Sequence, residues 1–67
     1  MNNYEELLDE LIKRIDSDRE SARTRRSAFM AEGNEEAAGF NHGASNALST
    51  VLFDIKELIR EVETNKA

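Results

Sequence analysis

The sequence predicts an all-α fold: an antiparallel hairpin of two long helices that assembles with copies of itself into a homo-oligomeric helix bundle. Three observations lead there. The 67 residues contain no proline and are rich in Ala, Leu, Glu, Arg and Lys, which are good helix formers. One turn signal, Gly33-Asn34, divides the chain into two halves. A chain this short buries a small fraction of its surface and is marginal alone unless disulfides, a metal or self-association add to its core. With no cysteine in the sequence, self-association remains. One domain, residues 1–67, is expected, with helices over about 3–32 and 35–63 and the turn at 33–34.

The first helix has a start signal. Asn2 or Asn3 can cap it, with Glu5 or Glu6 three residues later to complete a capping box. Its first turns are acidic, through Glu5, Glu6, Asp9 and Glu10, which suits the positive end of a helix dipole. Tyr4, Leu7, Leu8, Leu11, Ile12 and Ile15 then recur at helical spacing and form one apolar face. From Asp16 to Ser27 only Ala22 is apolar, yet nothing breaks the helix, and Phe29 and Met30 restore the face near its end.

Gly33 suits the position just past a helix C-terminus, where a left-handed backbone is common. Asn34 suits the N-cap of the next helix, and Glu35 and Glu36 fill its first turn. A turn this short makes the helices antiparallel neighbours. Folding there brings Phe29 near Ala38, Arg25 or Arg26 near His42 and Gly43, Ala22 near Ser45 and Asn46, and Leu8 near Ile59. Large aliphatics are expected to zip the open end, with small and polar groups lining the half nearer the turn.

The second helix carries the most unusual stretch, Ala37 to Phe53, which holds no Asp, Glu, Lys or Arg although a third of the chain is charged. Its apolar stripe is Ala37, Phe40, Ala44, Ala47, Leu48, Val51 and Leu52; the other faces hold Asn41, His42, Ser45, Asn46, Ser49 and Thr50. Gly39 and Gly43 sit four residues apart, with Ala47 following at the same spacing. Each glycine costs a helix interior about 1 kcal/mol relative to alanine, which implies a gain elsewhere. The stretch reads as a helix packed on more than one side in an oligomer, as the wall of a pocket, or as a break near Phe40 to Gly43. The first reading makes Phe29, Phe40, Gly39, Gly43, Ala47 and Val51 interface residues. Beyond it, Phe53, Ile55, Leu58, Ile59 and Val62 are expected inside, with charged residues between them and fraying from Thr64.

Six of the nine basic residues, Lys13, Arg14, Arg19, Arg23, Arg25 and Arg26, lie in the first helix. Arg19, Arg23 and Arg26 share a face at i, i+4, i+7, and arginine suits bidentate contact with phosphate or carboxylate. They read either as a solvated face with local pairs such as Asp16 with Arg19 and Glu20 with Arg23, or as an anion site shared with the uncharged stretch opposite. The second reading names Arg19, Arg23, Arg26, Asn41, His42, Ser45 and Asn46 as ligand contacts.

Enzymatic chemistry is not expected, and neither is a cofactor. His42 is the single histidine, no carboxylate lies close by to orient it as a triad requires, and no cluster has the spacing of a zinc site. The net charge of −5 disfavours nonspecific binding to nucleic acid. No apolar run is long enough to span a membrane and no signal peptide is visible, so a cytoplasmic protein is expected.

The segment from Gly39 to Val62, GFNHGASNALSTVLFDIKELIREV, preceded by EGNEEAA, resembles small helical accessory proteins of bacteriophages and prophages. There a Gly-x-x-x-Gly helix start leads into an amphipathic helix. The resemblance rests on Gly39, Gly43, Ala47 and the Leu48 to Val62 stripe. It implies a role against a host system in the host cytoplasm, by sequestering a small anionic, nucleotide-like ligand in an oligomer pocket; docking on a host protein through a helix face, with no small-molecule ligand, is the alternative. The hairpin plan also resembles the Rop-like four-helix bundle in architecture.

Overall fold

The computed structural model describes residues 3–66, with side chains described through residue 65. Two helices, α1 (Asn3–Ala31) and α2 (Glu35–Lys66), pack against each other as a hairpin measuring 51 × 20 × 11 Å. Asn2, one of the two candidate caps of α1, and Ala67 lie outside the described residues.

The turn is held from both sides. Gly33 adopts φ +78°, a left-handed backbone that suits glycine. Its N–H donates to the Met30 carbonyl at 3.1 Å, and the Asn34 N–H donates to the Phe29 carbonyl at 2.8 Å. These two bonds form a Schellman motif, which satisfies carbonyls that the end of α1 would leave open. Asn34 then caps α2: its Oδ1 accepts from the Ala37 N–H at 3.1 Å.

α2 runs unbroken through Gly39 and Gly43, so the break weighed from the sequence is absent. It also continues to Lys66, three residues past the end expected near Glu63. Neither proline nor glycine follows Gly43 to stop it.

The register matches the folding expected about Gly33-Asn34. The Arg25 guanidinium Nε donates across the hairpin to Asn41 Oδ1 at 2.9 Å, and Leu8 and Ile59 line one groove at the open end. Between the helices Ala22, Ala38, Leu52, Asn41 and Ser45 are buried. Ile12, Ile15, Phe29, Leu48, Ile55 and Ile59 are half-buried beside them.

The expectation that large aliphatics zip the open end is met only in part: Ile12, Ile15, Leu52, Ile55 and Ile59 pack in the seam, but others do not. Tyr4, Leu7, Leu8 and Leu11 of α1 are exposed, as are Phe53, Leu58 and Val62 of α2. Among the described residues no large side chain is fully buried. The cause is geometric. The apolar arc of each helix is 100° wide or more, and a single neighbouring helix covers only part of it. Ile55 and Ile59 take the covered part; Leu58, about 100° round the helix from Ile59, does not, and Val62, on the same face as Ile55, borders the open-end groove with Tyr4 and Leu8.

Candidate interaction surface

The residues expected to bind an anion divide in the hairpin between the seam and one flank of it. Asn41 and Ser45 point into the seam, where both are buried and engaged. Asn41 accepts from Arg25 and donates through Nδ2 to the Ala37 carbonyl at 2.9 Å; Ser45 Oγ donates to the His42 carbonyl at 2.9 Å. Arg19 is paired with Asp16, and Arg23 with Glu20 at 2.8 Å, the two local pairs anticipated from spacing. The arginine that reaches α2 is therefore Arg25, which the i, i+4, i+7 grouping left out.

Successive helix residues are about 100° apart. Since Arg25 meets Asn41 on one flank of the seam, Arg26 and His42 turn towards the other. Both are exposed, as is Asn46, whose Nδ2 lies 3.3 Å from His42 Nε2. This second flank carries Arg19, Arg26, His42 and Asn46, and it lacks carboxylates on α2 from Ala37 to Phe53. Among the described residues no group of three His, Asp or Glu side chains could hold a metal ion.

The expected interface residues also divide. Phe29 is half-buried against α2 and contributes to the hairpin itself. Phe40 is 78% exposed, and Ala47 and Val51 are exposed on the same side. Gly39 and Gly43 face away from α1, and a Cβ added at either meets nothing within 4 Å. In the hairpin, neither glycine is required by close approach of the other helix.

Phe40, Ala44, Ala47, Val51 and Leu58 recur at alternating steps of four and three along α2, with Asp54 interrupting the row. That is the spacing of a helix–helix seam, and it lies beside the face already packed on α1. At the open end the row meets a groove of about 350 Å³ lined by Tyr4, Leu8, Ile55, Leu58, Ile59 and Val62, with Glu5 and Glu63 at its rim. A shallower groove near the turn is bordered by Phe29, Asn34, Glu36, Ala37, Phe40 and Asn41. Leu7, Leu11, Phe53, Leu58 and Val62, read from the sequence as part of apolar inner faces, are surface residues. The signal for them was present: the apolar positions of both helices outnumber what a two-helix seam can cover.

No helix among the described residues is long and apolar enough to cross a membrane. No protein-family model, curated protein or solved structure matches this chain. Fold and surface define its class: a two-helix hairpin with one covered seam and one uncovered apolar row.

Proposed function

We propose that this chain is a non-enzymatic binding protein that works as a homo-oligomeric helix bundle and acts by protein–protein contact. The observation that carries this reading is the exposed apolar surface. Tyr4, Leu7, Leu8, Leu11, Phe40, Val51, Phe53, Leu58 and Val62 are all exposed, more than scattered surface apolars account for, and all but Phe53 cluster towards one face and one end. A second copy of the hairpin completes the core that one copy lacks, and the remaining helix faces are free to engage a target. A host protein is the class of target that the sequence resemblance to phage accessory proteins implies. Light scattering on wild type and Leu58→Glu tests the assembly. The expected result is an oligomer for wild type and a largely unfolded monomer for the variant; a folded monomer in both cases overturns the reading.

One observation favours a second reading, in which the bundle sequesters a small anionic, nucleotide-like ligand. Arg26 makes no ion pair among the described residues, and it shares a flank with His42 and Asn46 where α2 has no carboxylate. Native mass spectrometry of protein purified from cells tests it. Retained mass of a few hundred daltons on wild type, lost in Arg26→Glu, supports sequestration; bare subunits in both remove it.

A further inference from the structure

The hairpin exposes 5389 Å² for a mass of 7.6 kDa. A folded monomer of that mass exposes about 4300 Å², so the excess is roughly 1100 Å². A stable interface buries about 800 Å² on each partner. The uncovered surface is therefore of the size that one second copy would cover, and a hairpin only 11 Å thick has one helix layer with room for another.

Charge and side-chain size then select an orientation. At the open end, residues 3–13 and 54–66 hold eight carboxylates against four cations. In the middle, residues 14–31 and 37–53 hold five arginines against three carboxylates, and the tip at 32–36 adds three more carboxylates. Turns placed side by side would set acidic open end on acidic open end and acidic tip on acidic tip. Turns placed at opposite ends bring each acidic open end over the arginine-bearing part of its partner. The same choice pairs large with small. α2 has its midpoint near Val51, so an antiparallel α2–α2 contact sets Ala44 of one copy against Leu58 of the other and Phe40 opposite Val62. The exposed Phe40 ring then has a receptor, the 350 Å³ apolar groove of Tyr4, Leu8, Ile55, Leu58, Ile59 and Val62. Arg25, on the same flank as Asn41, comes beside the rim carboxylates Glu5 and Glu63.

Resting on the homo-oligomer reading above, we propose that the second copy docks antiparallel, turns at opposite ends, with Phe40 of each hairpin seated in the open-end groove of the other. The chain has no cysteine, so single introduced cysteines report the contact cleanly. Ala44→Cys and Leu58→Cys proteins are co-refolded, checked for helicity by circular dichroism, and treated with a short bis-maleimide. The expected product is a covalent dimer of one Ala44→Cys chain with one Leu58→Cys chain, and little covalent dimer from either variant alone. In this arrangement two copies of the same cysteine stand about 20 Å apart, fourteen residues along a helix. If each variant links efficiently to itself and not to the other, the orientation is overturned while the dimer stands. If light scattering gives a folded monomer and no linkage forms, orientation and homo-oligomer fall together.

Discussion

Arg25 and Asn41, sixteen residues apart in sequence, join α1 to α2 through a 2.9 Å hydrogen bond from Nε to Oδ1. Asn41 is 6% exposed, and its amide nitrogen is satisfied within α2 by the Ala37 carbonyl. Asn41→Ala removes both bonds and leaves a small void, so a loss of about 1–2 kcal/mol is expected. Arg25→Ala leaves the Asn41 oxygen without this donor and should cost less, because Arg25 is exposed. Urea unfolding of both single variants and the double variant should give a coupling of about 0.5–1 kcal/mol. Additive effects would show that the bond does not tie the helices.

Gly33 should be the least replaceable residue of the turn. An L side chain at φ +78° carries a penalty of about 1–2 kcal/mol, so Gly33→Ala should lower stability by that amount. Gly33→Asn should lose less, since asparagine tolerates the left-handed region. Asn34→Ala removes the cap on the Ala37 N–H and should cost about 1 kcal/mol. Denaturant midpoints at one fixed protein concentration test all three.

Gly39 and Gly43 should behave in the opposite way. Space is open around both, and neither lies on the row from Phe40 to Leu58. Alanine at either site should stabilise α2 by up to about 1 kcal/mol. Destabilisation in both variants would return these glycines to an interface, as their four-residue spacing first suggested.

The turn, both helices and their register were legible because each has a local cause: a left-handed glycine, an asparagine cap and apolar residues at helical spacing. The covered and uncovered parts of α2 were not. Leu58 and Ile59 are equally apolar, and only the direction of α1 decides that Ile59 packs on it while Leu58 stays 61% exposed. The division of the candidate anion contacts between the seam and one flank has a related reason. Arg25 and Arg26 are adjacent and identical in type, and the seam passes between them, so spacing alone could not say which one Asn41 would hold.

Arg19 and Arg23 share that segment but should differ in effect. Arg23 is paired with Glu20 in the open, with its side chain 52% exposed; such pairs contribute about 0.3–0.5 kcal/mol, so Arg23→Ala should change stability by no more than that. The Arg19 side chain is more deeply packed, at 25% exposed, and a long arginine stem buries apolar area of its own. Arg19→Ala should therefore cost more, on the order of 1 kcal/mol. Equal effects in urea unfolding would mean that the Arg19 stem adds nothing to packing.

If one hairpin is half of a core, thermal unfolding must depend on protein concentration. Circular dichroism melts over a hundredfold range of protein concentration would suffice. For a chain that folds only with its copy, that range is worth about 2.7 kcal/mol by mass action, or on the order of 10 °C in Tm for a dimer of this size. A Tm that climbs with concentration, together with a dimeric mass below the transition, is the predicted result. A cooperative Tm that stays constant across the range, with a monomeric mass, would contradict the account.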